Sequence, residues 1–337
     1  MKKNLLRLMM LFVAAVLTNN VFAQGSLLAT LNHEGTISTF YGSQAWKNAH
    51  DAAANGDVIT LSSGTFVAVD ITKAITVRGA GMGIDSTAVS EPTVITGYFT
   101  INIADPGSNR LTLEGIYSNH TIAYINVVNP LFLKCRLKNV TTYNGSAVLK
   151  DASFIHCRIA EELRLGTNSS ASCVNSVIQD PYSKDHYTSN FEFINCCLIG
   201  SMSSVYSSSF KNCIISDNDN NHWINNSCTA YNCVCLTANN YFRNITNATN
   251  KSLTEYATLF KTYPGGPLAL LDSETFELTD AAKTQYLGAD GTEVGIYGGN
   301  LPFDPTPSNP QITKCNVAAK STADGKLSVD IEVNAAE

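Results

Sequence analysis

The sequence predicts an all-β fold, a single-stranded parallel β-helix in which short strands stack as the chain winds. The first observation is a phrase that returns about every twenty residues between positions 132 and 236, a period typical of stacked supersecondary units. The second is composition, because β-branched and aromatic runs of three to five residues alternate with Asn, Ser, Gly and Asp. The third is that the repeats have neither helical periodicity nor the frame of leucine-rich repeats.

The repeated phrase is an apolar residue, any residue, usually Asn, then Cys, any residue and a branched aliphatic residue. Its Cys slot advances by 22, 19, 20, 17 and 20 residues. Equivalent residues of successive coils lie roughly 4.8 Å apart, so the slot predicts an internal ladder of Cys135, Cys157, Ser176, Cys196, Cys213 and Cys233. A second ladder, in which side-chain amides bond from coil to coil, is predicted for the preceding turn residues Asn175, Asn195, Asn212 and Asn232.

Earlier phrases extend this frame toward the N-terminus. Residues 111–116 lie 21 positions before the Cys135 phrase, residues 94–97 lie 17 before that, and residues 75–78 a further 19. If each phrase occupies one coil, the chain forms about ten to twelve coils.

Residues 1–23 have the three parts of a secretory signal. Lys2, Lys3 and Arg7 precede an apolar run at 8–17, and Val21-Phe-Ala precedes Gln24. About ten apolar residues are too few to span a bilayer. We therefore expect export through a cleaved signal peptide to the periplasm, the cell surface or the extracellular space, with no transmembrane segment in the mature chain.

The charge balance limits the partners. After removal of the signal, 19 basic residues (22 minus 3) stand against 28 acidic ones, a net charge of −9. This balance argues against binding to nucleic acid and to anionic membrane surfaces. The partners that remain are a polysaccharide or another surface protein.

Residues 43–56 have the one clear helical pattern. Ser43 is a suitable N-cap and Asn55-Gly56 a suitable end. The apolar stripe consists of Ala45, Trp46, Ala49, Ala52 and Ala53. Because the first coil of a β-helix exposes unpaired strand groups and open core, we expect this helix to cap the N-terminal end.

The C-terminal part departs from the repeat. Residues 301–310 are rich in proline and are predicted to be an extended linker. Residues 311–337 are predicted to be a short β tail, since positions 326–333 alternate as a half-buried strand does. This tail is too short to fold alone, so it either lies against the rod or docks elsewhere.

The N-terminal and C-terminal phrases resemble those of a known superfamily. The order helix, Gly56-Asp-Val-Ile-Thr-Leu61 and Ile75-Thr-Val-Arg-Gly-Ala-Gly81 resembles the opening of the pectate-lyase-like superfamily. The phrase Leu287-Gly-Ala-Asp-Gly-Thr-Glu-Val-Gly-Ile-Tyr-Gly-Gly299 is similar to the last coil of secreted β-helix repeat proteins from Bacteroidetes. The resemblance covers roughly residues 40–300 and implies a right-handed β-helix, and we predict that the β-helix domain spans residues 24–300. It implies no single activity, because the superfamily includes lyases, hydrolases, epimerases and surface proteins without a known reaction.

The chain has ten cysteines. Side chains stacked in parallel leave Cβ atoms near 4.8 Å apart, whereas a disulfide needs about 3.8 Å. We therefore expect the ladder cysteines to be free thiols that pack as small hydrophobic groups. The better disulfide candidates lie outside the ladder, at Cys197, Cys228, Cys235 and Cys315. No Cys-x-x-Cys or nearby His pair indicates a metal site.

The most acidic polar cluster is at residues 217–223. Asp217 and Asp219 have alternate spacing, which on a strand places both carboxylates on one face. His222 follows, and Trp223 is suited to stacking on a sugar ring. The alternatives are a solvated turn and a site for a cation or glycan.

A second polar cluster falls one to two coils earlier. Asp185 and His186 follow Asp180-Pro-Tyr182 and can share a side with the first cluster, although a polar turn is again the alternative. Carboxylates from neighbouring coils suit Ca²⁺, which is the one ion that we consider; no other cofactor is predicted. No catalytic residue is assigned, because the motifs of polygalacturonase-like hydrolases are absent and Arg158-Ile159 is followed by Ala160.

The residue after each Cys slot is expected to point outward. These residues are Arg136, Arg158, Val177, Cys197, Ile214 and Val234, and the last four predict an apolar strip on the outer wall. Either the C-terminal tail or a long turn covers the strip, or it is a contact face for a partner.

The function favoured by the sequence is adhesion or glycan binding by an exported, non-catalytic β-helix protein. The alternative is a polysaccharide lyase or a glycoside hydrolase with an unfamiliar site, and a third possibility is an inert spacer. An enzyme is expected to place three carboxylates, or two carboxylates with an Arg or Lys, within about 10 Å in a groove on one wall.

Overall fold

The protein is an all-β parallel solenoid of about eight turns, so the predicted fold class is confirmed. The computed structural model describes residues 27–84, 91–142, 147–183, 188–202, 204–216, 227–236, 242, 245, 249–253, 258–262, 274–322 and 324–334. The handedness of the solenoid and the capping role of the helix stay predictions.

One wall of the solenoid is an 11-stranded sheet. From its third strand onward this sheet is parallel, and its first strand joins the third in the antiparallel sense. The strands are β1 (Leu28–His33), β2 (Thr36–Tyr41), β3 (Val58–Leu61), β5 (Thr76–Arg78), β8 (Thr112–Glu114), β10 (Leu131–Leu133), β13 (Ala152–Ile155), β15 (Ser170–Val174), β18 (Asn190–Ile194), β20 (Ser209–Lys211) and β22 (Thr229–Tyr231).

The remaining walls belong to a 13-stranded sheet. Its longer strands bend around a corner of the solenoid, with a shift of register between Leu137 and Asn139. The strands are β4 (Gly64–Val67), β6 (Thr93–Thr96), β7 (Phe99–Asn102), β9 (Ile116–Val128), β11 (Arg136–Thr141), β12 (Leu149–Lys150), β14 (Arg158–Leu165), β16 (Val177–Gln179), β17 (Pro181–Ser183), β19 (Cys197–Ile199), β21 (Ile214–Ser216), β23 (Val234–Leu236) and β24 (Lys251–Leu253).

The prediction of ten to twelve coils is too high. Thr76 pairs directly with Thr112 in the 11-stranded sheet, whereas Val94 pairs with Tyr117 in the other sheet. Residues 94–97 therefore do not occupy the repeat position that the spacing indicated. Their 17-residue interval resembles a full coil only because two different walls both carry short β-branched strands.

The core is filled by like residues of successive coils. The rings of Phe132 and Phe154 stack with centroids 4.6 Å apart and planes 5° apart. The Cys157 thiol donates a hydrogen bond to the Phe132 carbonyl at 3.2 Å, and the Cys213 thiol donates to the Phe193 carbonyl at 3.4 Å. Complete burial raises the pKa of both thiols well above its ordinary value, so these cysteines act as apolar core groups with weak donors.

All ten cysteines are free thiols, and Cys315 alone is exposed. The expectation of a disulfide among Cys197, Cys228, Cys235 and Cys315 is therefore wrong for this structure. The first three are buried in place, and burial raises the pKa of Cys197 and Cys228.

The turn before each Cys slot has a left-handed backbone. Its residues have φ between +44° and +55° and are Lys134, His156, Asn175, Asn195, Asn212 and Asn232. Asn is the residue other than Gly that adopts this conformation most readily. The recurrence of Asn thus follows from the backbone geometry of the corner.

The N-terminal end carries a hairpin and a helix. The hairpin is β1 and β2, joined at Glu34-Gly35, and helix α1 spans Ala45–Ala52. The predicted N-cap was wrong, since Gln44 occupies that position without a side-chain cap bond. Ala52 is exposed, while His50 completes the buried face.

A single ammonium group holds the C-terminal end of α1. Lys73 Nζ donates hydrogen bonds to the carbonyls of His50, Asp51 and Ala53 at 2.7, 2.9 and 2.7 Å. These are carbonyls that a helix end leaves without intrahelical partners, and a cation there also complements the helix dipole. The helix is therefore tied to the turn that carries Lys73.

The outward apolar strip is covered. Val177, Cys197, Ile214 and Val234 form a second buried core together with Leu259, Phe260, Phe276, Leu278, Ala282, Val294 and Ile296. The covering chain includes helix α2 (Asp280–Gln285), which Thr279 caps through its side chain. Of the two alternatives for the strip, covering by a long segment of the same chain is therefore correct, and the C-terminal tail is not the cover.

Residues 287–309, which we call the strap, run along the Asn corner. The Asn232 amide donates to the carbonyl of Leu287, whereas Asn309 at the other end donates to the carbonyl of Gly79. The strap thus passes the coils in reverse order. Residues 287–299 are not a last coil, contrary to the resemblance, because they lie on the side of the stack.

The Asn side chains bind the strap and not one another, which corrects the predicted amide ladder. Asn175 Nδ2 donates to the carbonyls of Ile296 and Gly298 at 2.8 and 2.7 Å. Asn212 Oδ1 accepts from the Ala289 N–H at 3.1 Å. A Cβ on Gly299 would lie 2.2 Å from Asn195 Nδ2, so the close approach there requires glycine.

The proline-rich part of the strap docks on the wall as well. Lys134 Nζ lies 2.7 Å from Asp304 Oδ2, and His156 Nε2 donates to the Leu301 carbonyl at 3.0 Å. Further along, Glu114 Oε1 accepts from the Ser308 N–H at 2.9 Å. The residues predicted to be a linker therefore make a chain of specific contacts.

The C-terminal tail forms an antiparallel hairpin of β25 (Gln311–Val317) and β26 (Val329–Asn334). Every residue of β26 is exposed. The strand is therefore present, but the prediction that it is half-buried is wrong. No helix in the part of the chain that the structure describes is long and apolar enough to cross a membrane.

Candidate functional site

The candidate site is a groove on the outer wall, next to the bend of β14. It has a volume of about 400 Å³ and is lined by Glu161, Glu162, Gln179, Asp180, Pro181, Tyr182, Ser201 and Ser204. We call it the wall groove. It lies on the wall that neither the strap nor the second apolar core covers.

Strand alternation points the charged side chains of β14 into the groove. Leu163 and Leu165 are buried, so Glu162 and Arg164, which alternate with them, face outward. Arg164 pairs in register with Tyr182 of β17, one coil further on. Two successive coils therefore supply a carboxylate, a guanidinium and an aromatic ring side by side.

Two cations hold the glutamates. Lys138 Nζ lies 3.3 Å from Glu161 Oε1. Arg164 donates from Nε and Nη2 to Glu162 Oε1 at 2.9 and 2.6 Å. The Glu161 side chain is 51% exposed and that of Glu162 is 24% exposed, so these pairs orient the groups more than they stabilise the fold.

Asp180 is positioned by the backbone. It has φ +41° at the turn between β16 and β17, and its Oδ1 accepts from the Ser201 N–H at 2.8 Å. A Cβ on Gly200 would lie 2.0 Å from the same Oδ1. Glycine at position 200 therefore allows the next coil to approach and fix the carboxylate.

Tyr182 supplies a partly exposed aromatic surface to the groove. The Arg164 Cζ atom lies 4.5 Å from the centroid of its ring, a distance typical of a cation–π contact. The contact restrains the ring at the groove before any ligand binds. A restrained aromatic ring loses little conformational entropy when a ligand packs against it.

The wall groove contains the kinds of residue that the enzyme criterion names, three carboxylates with two cations beside them. Glu161, Glu162 and Asp180 line one groove, and Lys138 and Arg164 pair with two of them. Among the described residues, no group of three or more His, Cys, Asp or Glu side chains is placed to hold a metal ion.

The site residues predicted from the sequence lie outside the described residues. They are Asp185, His186, Asp217, Asp219, His222 and Trp223, and their assignment stays a prediction. Asp180 and Tyr182, which the sequence placed beside Asp185, do lie in the wall groove. Sequence reasoning missed Glu161 and Glu162, although the buried alternation of Leu163 and Leu165 indicates which neighbours face outward.

The fold and the groove define a class, a parallel β-solenoid protein with a polar groove on its outer wall. A comparison with family models, with curated proteins and with solved structures finds no match to this chain. Membership of the pectate-lyase-like superfamily, and the Bacteroidetes type, therefore stay predictions drawn from the quoted phrases.

Proposed function

We propose that the protein is an exported β-solenoid that binds a glycan in the wall groove. The observation that carries this proposal is the arrangement of Glu161, Glu162, Asp180 and Gln179 beside Tyr182. Carboxylates and amides bond to sugar hydroxyls, and an aromatic ring packs on the apolar face of a sugar. The signal-like residues 1–23 support export to a place where such a glycan is met.

The charges of the groove indicate an uncharged glycan. Among the described residues, three carboxylates face two cations, which leaves an excess of one negative charge. A uronate polymer would bring further negative charge to this surface, and like charges repel. Neutral sugars meet no such penalty and can use the remaining acceptor capacity of the carboxylates.

A second candidate function is glycoside hydrolysis in the same groove. The three carboxylates favour it, because hydrolases cleave with a pair of Asp or Glu residues that flank the scissile bond. Against it, the motifs of polygalacturonase-like hydrolases are absent from the sequence. Binding without cleavage is therefore the first proposal.

The test is a glycan array probed with the chain from Gln24 onward, read for both binding and new reducing ends. We expect neutral glycans to bind and uronate polymers not to bind. Substitution Tyr182→Ala should weaken binding about tenfold, the loss expected for one aromatic contact. The matched control is Tyr231→Ala on the opposite sheet, where the tyrosine is 53% exposed and affinity should not change.

Two results would contradict the proposal. One is an array without any bound glycan. The other is binding that Tyr182→Ala and Tyr231→Ala affect equally. Release of reducing ends that stops in Glu161→Gln or Asp180→Asn, while binding persists, would establish the hydrolase instead.

A further inference from the structure

Among the described residues, strand β2 is an open edge of the 11-stranded sheet, because β1 is its one strand partner there. Its six residues run Thr36–Tyr41 without a shift of register. The two-residue turn before it has φ +47° at Glu34 and +84° at Gly35, values typical of a type I′ hairpin. The strand is therefore regular and extended along its whole length.

The hairpin geometry decides which backbone groups face outward. His33 and Thr36 flank the two-residue turn and form the closing pair, which is hydrogen-bonded in such hairpins. Alternation then directs the N–H and C=O of Ser38 and Phe40 toward β1. The N–H and C=O of Ile37, Thr39 and Tyr41 consequently face away from the sheet.

This edge lacks the features that protect most edge strands. It contains no charged residue and no proline, and these, with bulges, are the usual protections. Two of its outward residues, Ile37 and Tyr41, are 68% and 69% exposed. The edge is open to pairing through both its backbone and its side chains.

The opposite edge of the same sheet is protected. Strand β22 has three residues, and the two residues after it are already bonded. Asn232 N–H donates to Thr249 Oγ1 and Cys233 N–H to Asn250 Oδ1, each at 3.0 Å. In the part of the chain that the structure describes, one end of the sheet is thus shielded and the other end is open.

We propose that β2 pairs with β2 of a second copy in the antiparallel sense, about a two-fold axis at Thr39. The outward residues Ile37, Thr39 and Tyr41 then meet Tyr41, Thr39 and Ile37 of the other copy. Each pair exchanges two hydrogen bonds, and the Ile and Tyr side chains become cross-strand neighbours. Only this register places the outward N–H and C=O groups of all three residues opposite outward groups of the other copy. Because β2 has no charged residue, the two strands do not repel each other. The 11-stranded sheets of the two copies then form one continuous sheet.

Sedimentation of the chain from Gln24 onward tests the pairing. We expect a dimer that Thr39→Pro converts to a monomer, because proline removes an outward N–H and leaves the bonds to β1 in place. Thr39→Lys should act in the same way, because the two-fold axis places the two like charges directly opposite each other. The matched control is Ile331→Lys in the exposed tail hairpin, 53% exposed in the parent chain, which should leave the dimer intact. Circular dichroism confirms that each variant is folded.

A cross-linking experiment tests the register. In a Cys315→Ser background, whose other nine cysteines are buried, Thr39→Cys places two thiols on the two-fold axis. Cα atoms of such a pair lie about 5.5 Å apart, within disulfide range. We expect a disulfide-linked dimer from Thr39→Cys and none from Thr36→Cys. A monomer at all concentrations, a dimer lost only in Ile331→Lys, or equal cross-linking at both positions would overturn the proposal.

Discussion

The covered wall and the open wall of the solenoid belong to the same sheet, yet their outward residues differ in kind. On the covered wall, Val177 and Ile214 are buried in the second apolar core. On the open wall, Glu162 and Tyr182 line a polar groove. The repeat places similar residues on the inside of each coil, whereas the outward residues differ according to what packs against them.

The strap explains the difference at the level of single bonds. The corner residues before each Cys slot hold it through side chains such as Asn175 and Lys134. The wall groove lies beyond the bend of β14, and none of the strap residues lines it. The buried strip is thus a docking face for the chain itself, whereas the groove residues stay at the surface, where we propose that a glycan binds.

The largest effect should come from a charge in the covered strip. Ile214 is 1% exposed, so Ile214→Asp buries a carboxylate without a partner and should lower the free energy of unfolding by about 3–5 kcal/mol. Urea denaturation followed by circular dichroism measures the loss. On the open wall, Gln179→Asp should cost less than about 1 kcal/mol. Equal losses in the two variants would show that the covered wall and the open wall tolerate a new carboxylate equally well.

A smaller effect is expected where the strap meets the corner. Asn175 combines two side-chain hydrogen bonds with φ +44°. Asn175→Ala should lose about 3 kcal/mol, since both the bonds and the left-handed conformation are affected. Asn175→Gly keeps the conformation accessible and should lose about 1 kcal/mol less. If the two variants unfold at the same urea concentration, the left-handed backbone at position 175 does not disfavour alanine.

The smallest effect concerns pH. Burial raises the pKa of Asp304, but hydrogen bonds from Lys134 and Thr306 outweigh it, and the pKa lies below its ordinary value. A carboxyl with a lowered pKa stabilises the folded state above its unfolded pKa of about 4, and this contribution is lost as the pH falls through the folded pKa. Cleavage of the strap by an acid-active protease should therefore increase below about pH 4. In Asp304→Asn the increase should be smaller; an identical pH profile would contradict the assignment.

Much of the fold followed from local patterns. The Cys slot predicted a stack of coils because a buried column needs the same small apolar group in every turn, and the thiols of Cys157 and Cys213 do bond to the coil before them. The recurrence of Asn marked the corner correctly. The predicted role of the Asn side chains was wrong. These side chains point outward from the corner and bind the strap, which is far away in the sequence.

The sequence by itself determined that this protein winds as a parallel β-solenoid, because inward residues repeat at a spacing that only a stack can bury. It also indicated Asp180 and Tyr182 as part of a polar surface. Only the tertiary structure decided which outward strip is covered, where the strap docks and that Glu161 and Glu162 complete the wall groove. The physical reason is that inward positions are constrained by the coil directly above, whereas outward positions depend on contacts between residues more than one hundred positions apart.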